Sequence, residues 1–318
     1  MVAGALAQFS GHKYLRQRLV LSILSGKPVK IDKIRPEDKN PGLRDYEISL
    51  LRLLEKLTNG TVIEISVTGT AILVKPGIIA GGALTHDCPL SQAIGYYLEP
   101  IIMLAPFAKK PVQLTLRGVT TDGKNLSVDI LRTVTLPHLQ LFGISDGVEL
   151  RIKKRGSPPA GGGEVQFLCP IVKQVKTLNF VDPGKIKRIR GVAHAVRVSP
   201  QFSNRMIEAS RSILNRYIPD IYIYSDVTRA TTAESTSPGY ALSILADGGC
   251  VDRRHQTLVL SMMVLGPTIQ TIQFLRDVRQ FFGTSFKISP AEPADPDCKQ
   301  LVYSCYGSGY VNANRTLA

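Results

Sequence analysis

A recurring order of elements constrains this chain more than any other feature of its sequence. Leu15, Leu19, Val20, Ile23 and Leu24 fall on one face of a helix, which Gly26 and Pro28 end. Val29, Ile31 and Ile34 follow as a strand. Pro41-Gly42 open a second helix with the stripe Leu43, Leu50, Leu51, Leu54 and Leu57, for which Asn59-Gly60 is the expected C-cap. Residues 62–67 and 71–74 close the set as two strands. The order is helix, strand, helix, strand, strand.

The same order returns. Ile94, Tyr97, Leu98, Ile101 and Ile102 form a helical stripe. Lys110-Pro111-Val112-Gln113-Leu114 then matches Lys27-Pro28-Val29-Lys30-Ile31, 83 residues earlier. A helix through Leu126, Ile130, Leu131 and Val134, distorted at Pro137, and strands at 148–152 and 165–168 complete the unit. A third copy starts near Cys250, with helices through Leu258, Met262 and Leu265 and through Ile272, Leu275, Val278 and Phe282, and strands at 285–288 and 301–305. Only Gly266-Pro267-Thr268 separates its helices, too little to replace a core strand. Residues of the native protein are therefore expected to be absent near Pro267, and the abrupt join after Asp247 reads the same way. The stretch between copies two and three has its own pattern: strand 190–198, helix 203–217, strand 220–226 and strand 240–245. The division that follows is a body of two repeats over 1–184, an inserted small domain over 185–247 and a third repeat over 248–318, an α/β (α+β) fold.

Charge narrows the function. The chain carries 39 Lys and Arg against 25 Asp and Glu, a net +14. Residues 151–247 hold 15 cations and 7 anions, so the surplus sits mainly in one segment and favours a polyanionic partner, nucleic acid above all. Aromatic residues make up 7 %, with no Trp, which argues against a single-strand binder built on stacking. Five cysteines without a C-x-x-C pair suit neither a disulfide framework nor a zinc site. No apolar run of transmembrane length and no signal-peptide pattern is seen, so a cytosolic or nuclear location and no membrane partner are expected.

Three strings could bind anions. Arg155-Gly156-Ser157-Pro158-Pro159-Ala160 leads into Gly161, Gly162 and Gly163, whose bare amides could line a concavity beside Arg151, Lys153, Lys154 and Arg155. Phe9 through Arg16 is a loop opening a helix, a place suited to phosphate, with Arg16 its cation. Lys185, Lys187, Arg188 and Arg190 form a phosphate-contact face at the start of the insert. None of the five histidines has a partner at metal spacing. No Walker loop or ordered G-x-G-x-x-G occurs. Asp277, between Arg276 and Arg279, could serve acid–base chemistry on a phosphodiester, but reads more simply as part of a solvated helix face.

Taken together, residues 11–16, Lys33-Ile34-Arg35, Pro41-Gly42-Leu43, Pro76-Gly77 with Gly81-Gly82, and the glycine string after Arg155 resemble the RNA 3'-terminal phosphate cyclase family. Leu24-Ser25-Gly26-Lys27-Pro28, Asn40-Pro41-Gly42-Leu43-Arg44-Asp45-Tyr46-Glu47 and Lys154 through Pro159 are closest to its eukaryotic cyclase-like branch, the nucleolar ribosome-assembly factors. The resemblance implies three copies of a two-helix, four-stranded unit plus an inserted small domain. Cyclases join an RNA 3'-phosphate to the neighbouring 2'-hydroxyl with ATP, through an adenylylated histidine just before the second helix of the third repeat. That region here reads Gly266-Pro267-Thr268-Ile269-Gln270, and no histidine follows His255. Cyclases also carry Gln-His where this chain has Tyr46-Glu47. The resemblance thus implies a nuclear, nucleolar factor for small-subunit ribosome assembly without catalytic residue, metal or cofactor. Its partners would be a nucleolar GTPase and precursor rRNA with its small nucleolar RNA particle. An active cyclase and an endonuclease on precursor rRNA are the rival readings.

Overall fold

The structure, a computed structural model, describes residues 6–176, 186–228, 237–247, 272–290, 301–305, 307–312 and 314. The chain opens with β1 (Ala7–Ser10), α1 (Leu15–Ser25), β2 (Val29–Asp32), α2 (Asp45–Leu57), a two-residue β3 (Thr58–Asn59), β4 (Val62–Ile65) and β5 (Ile72–Lys75). It continues with β6 (Ile78–Ile79), β7 (Gly82–Asp87), α3 (Gly95–Leu104), β8 (Val112–Gly118), a helical stretch formed by α4 (Val128–Ile130), a π turn (Leu131–Thr135) and α5 (Leu136–Leu141), then β9 (Glu149–Lys154) and β10 (Gly163–Cys169).

Two four-stranded sheets result, ordered β1-β2-β5-β4 and β7-β8-β10-β9. In each, the first pair is parallel and the others antiparallel. Val29 and Val112 each open the second strand, opposite Ala7 and Gly82 respectively, so the 83-residue match marks equivalent positions. The leading strands β1 and β7 are absent from the sequence pattern. Both lie at sheet edges and are poor in large apolar residues, with Phe9 alone in β1 and Leu84 alone in β7. Every residue of the expected α1 stripe is buried, and Gly26 ends the helix with a φ of 69°. The end of α2 differs from expectation. Thr58 caps it, its hydroxyl donating to Leu54 O at 2.7 Å, because Thr58 and Asn59 are drawn into pairing with β6. The distortion expected at Pro137 is the π turn, after which α5 restarts with proline in its first turn, where its missing N–H is tolerated.

The basic segment forms a third, separate sheet from β11 (Arg188–Val196), α6 (Pro200–Leu214), β12 (Ile221–Thr228) and β13 (Gly239–Asp247). Its order is β12-β11-β13: α6 links two parallel strands, and the antiparallel β13 joins the first of them. That order differs from the two body sheets, in which the antiparallel strand joins the second. Ile189, Ala193, Ile221 and Ile223 make a small core beneath α6. The stretch expected to be a third repeat contributes α7 (Ile272–Phe282) and the antiparallel pair β14 (Phe286–Pro290) and β15 (Leu301–Cys305). The first helix expected for that stretch and the joins expected after Asp247 and near Pro267 lie outside the described residues.

One large core runs through both body sheets and takes in Val278 and Phe281 of α7. Helix α1 is its hub, packed against both α3 and α7, with Phe9 and Phe281 stacked at 5.6 Å. Among the described residues no helix is long and apolar enough to cross a membrane.

Candidate nucleic-acid interface

The register of the small sheet sorts its side chains by face. Ile221 and Ile223 turn toward α6, so Tyr222, Tyr224 and Asp226 turn away. On β11 their direct neighbours are Arg190, Val192 and His194, and on β13 the same rows end in Leu245, Ser243 and Ala241. This face has two unlike ends.

One end is closed against the body. Arg155, just past β9, is 4 % exposed. It donates to both carboxylate oxygens of Asp129 at 2.8 Å, to Asp226 at 2.7 Å, and to Nδ1 of His194 at 3.3 Å. Burial opposes the guanidinium charge, but Asp129 and then Asp226 more than reverse this and raise its pKa. His194 is the converse case. Burial, reinforced by Arg155 and opposed by the two carboxylates, lowers its pKa to about 4, so its ring stays neutral and can accept from Arg155. Ser127 and Ser243 meet at 3.0 Å in the same seam.

This arrangement corrects the reading of the glycine string. Arg155 is a buried internal clamp, with no guanidinium edge presented to an outside anion. The Gly161 amide donates to Ser157 O at 2.9 Å, the Ala160 amide to Ser237 Oγ at 2.9 Å, and Gly163 sits in the ladder opposite Gly118. A methyl group on Gly161 would lie 2.6 Å from Leu90, and one on Gly163 2.6 Å from Thr120. Gly239 of the small sheet packs directly on Ser157. Close packing within the body, against Leu90, Gly118 and Thr120, and not a nest of open amides, explains these two glycines; Gly162 alone of the three is exposed.

The other end of the face is open. Tyr222 and Tyr224 are 53 % and 57 % exposed, and their rings lie 5.1 Å apart at 48°. The Arg190 guanidinium sits 5.9 Å from the Tyr222 ring and pairs with Asp220 at 2.9 Å. Lys187 and Arg188 are exposed beside it, and Lys185 lies outside the described residues. Six residues of strand, about 20 Å at the usual rise, separate Arg188 from the His194 seam. Composition misses these tyrosines, but the local alternation Ile-Tyr-Ile-Tyr carries the signal.

The remaining expected cations are scattered. Arg16 is drawn into the body, donating to Glu99 at 2.8 Å and to Tyr96 O at 3.1 Å, and lies over the Tyr96 ring. Arg151 forms a two-bond pair with Glu149 on edge strand β9, where Lys153 and Lys154 are exposed. A groove of about 430 Å³ runs between that strand and α5, with Arg132 and Arg151 in its lining.

Two further acids have structural duties. Asp277 does not occupy a solvated face: it is 1 % exposed and accepts from Arg18 Nε at 3.2 Å, where α7 meets α1. Glu47 is 3 % exposed, receives both guanidinium arms of Arg35 at 2.8 and 2.7 Å, and accepts the Arg44 backbone N–H at 2.8 Å as an N3 capping carboxylate. His86 is buried and meets Ser49 Oγ at 2.8 Å. Among the described residues no group of three or more His, Cys, Asp or Glu is placed to hold a metal ion.

Comparison with known proteins gives this architecture relatives. The profile described as RNA 3'-terminal phosphate cyclase matches residues 7–288. The RNA 3'-terminal phosphate cyclase-like protein of Bos taurus is 44 % identical, with 97 % of each chain covered. The rRNA processing protein rcl1 of Schizosaccharomyces pombe is 42 % identical over 100 % of both chains, and its Saccharomyces cerevisiae counterpart is 35 % identical over 98 % of this chain. The bovine alignment spans 365 positions against 318 residues here, so dozens of that relative's residues have no counterpart in this sequence. From the shared profile and these full-length similarities, the chain belongs to the RNA 3'-terminal phosphate cyclase family.

Proposed function

We propose that this chain is a non-catalytic, cyclase-like factor in rRNA processing and small ribosomal subunit assembly. In this reading it is built of three two-helix, four-stranded repeats plus an inserted domain, and works in the nucleolus. It binds precursor rRNA with its small nucleolar RNA particle and a nucleolar GTPase. The observation that carries the reading is the end-to-end similarity to a protein named for rRNA processing, 42 % over both whole chains.

The site chemistry supports it. A cyclase needs a nucleophilic histidine ahead of α7, and no histidine follows His255. The Tyr46-Glu47 pair is stronger ground, because it lies in a continuous described stretch. Glu47 is locked by Arg35 and the α2 cap, and Tyr46 packs edge-on against Tyr96 at 5.2 Å. These are packing and capping duties, not proton transfer. Asp277, the acid that an endonuclease reading draws on, is buried against Arg18 and holds no water-facing oxygen for a metal or a proton relay.

The test replaces the fission yeast rRNA processing protein with this chain. Normal levels of rRNA precursors are expected, and the purified chain incubated with labelled ATP and a divalent metal is expected to carry no label on a denaturing gel. Accumulating precursors would remove the assembly role, and a stoichiometric labelled band would remove the non-catalytic one.

A further inference from the structure

We infer that the open end of the small sheet is a stacking platform for single-stranded RNA, with Tyr222 and Tyr224 receiving bases and Lys187, Arg188 and Arg190 meeting phosphates. The inference rests on the RNA-binding reading above and says which RNA form and which residues.

Four observations converge on it. Strict alternation along β12 puts both tyrosines on the face turned away from α6 and its core. Each is more than half exposed, and the two rings lie side by side on one strand face. β12 is an edge strand, so the platform can be approached from the side as well as from above. The register then sets Arg190 beside Tyr222, and the strand period keeps Arg188 on the same face. Aromatic rings flanked by cations on an open sheet are what unpaired bases and their phosphates require. Arg190 is held by a two-bond pair with Asp220, whose carboxylate is half exposed, so a phosphate competes with Asp220 for the guanidinium, while Lys187 and Arg188 are exposed beside it.

The geometry favours RNA over a protein partner. A protein hot spot needs a desolvated pocket ringed by apolar contacts. Here Arg190 and Asp220 flank Tyr222, Arg188 lies beyond on the same face, the apolar neighbours are Val192 beside Tyr224 and Leu245 one strand further, and the closed end of the face is already filled by the Arg155 seam. It also favours a single strand over a duplex, because paired bases hide their flat faces. Two rings offer room for two bases.

The full chain is titrated into a fluorescein-labelled oligouridylate of roughly 12 nucleotides and into a duplex of similar length, read by anisotropy. Tighter binding to the single strand is expected. Tyr222→Ala and Tyr224→Ala should each weaken it by about 5- to 150-fold. Tyr222→Phe and Tyr224→Phe, which keep the ring, should stay within about twofold, and the salt slope should not change because stacking releases no counterion. The chain has no Trp, so quenching of wild-type tyrosine emission by the unlabelled oligouridylate gives a readout that needs no variant. Alanine variants that bind as wild type, or binding without quenching, overturn the platform while leaving RNA binding in place, and the face is then a protein surface. Phenylalanine variants as weak as the alanine ones overturn stacking as the mode, as does preference for the duplex. A wild-type chain with no RNA affinity removes the platform and the RNA-binding reading together.

Discussion

Single residues show how a formal charge misleads. Arg16, Arg18, Arg35 and Arg155 all count toward the net +14, yet each faces a carboxylate inside the fold. The Arg155 cluster also makes one residue sensitive to acid. His194 is held near a pKa of about 4 in the folded chain, against about 6.5 when unfolded. Between those values the unfolded chain binds the proton and the folded chain does not. The stability from neutral His194 is thus complete above about pH 6.5 and declines as pH falls toward 4, by up to about 3 kcal/mol. Thermal melts from pH 7 to pH 4 should fall more steeply for the wild type than for His194→Gln. Parallel curves would show that His194 is not the buried neutral ring described.

Among the elements, α7 shows how the C-terminal stretch is tied to the start of the chain. Its apolar side reaches the common core through Val278 and Phe281, and its single buried acid reaches α1. Removing one member of a buried pair leaves an uncompensated charge, which costs about 3–5 kcal/mol. Asp277→Ala should therefore destabilise the chain by that order in denaturant unfolding. The double variant Arg18→Met with Asp277→Ala should recover much of the loss. If Asp277→Ala unfolds as the wild type does, the clamp is not structural, and the acid becomes available to chemistry after all.

At the scale of the whole molecule, the basic surplus of residues 151–247 is spread over Arg155 in the buried seam, Arg151, Lys153 and Lys154 on β9, and an outer rim on the small sheet. Lys187, Arg188 and Arg190 belong to the rim. Changing Lys185, Lys187, Arg188 and Arg190 together to Ser should lower RNA affinity roughly uniformly across sequences. The salt slope should flatten by about one unit for each phosphate that the variant no longer neutralises, with little change in folding. Binding of a structured RNA across a salt series, with the GTPase alone as control, reads this directly. Unchanged RNA binding together with abolished GTPase binding would reassign the rim to the protein partner.

The sequence by itself determined the order and ends of most elements. The helix stripes, the Gly26 stop and the strand–helix–strand–strand pattern of the small sheet are local signals, written in spacing and breakers within a few turns of chain, and the match of Val29 to Val112 is a repeated one. The leading strands escaped because edge strands with one large apolar residue each, Phe9 and Leu84, carry no readable alternation. What only the tertiary structure decided is which charged groups face inward. Arg16, Arg155 and Arg18 find their carboxylates 83, 26 and 259 residues away, and Arg155 finds a second at 71. Likewise, the tyrosines of β12 alternate visibly, but their exposure depended on where the body stops covering the sheet. A charge or a ring has the same appearance in sequence whether it is paired or open, because burial is set by contacts that chain distance does not encode.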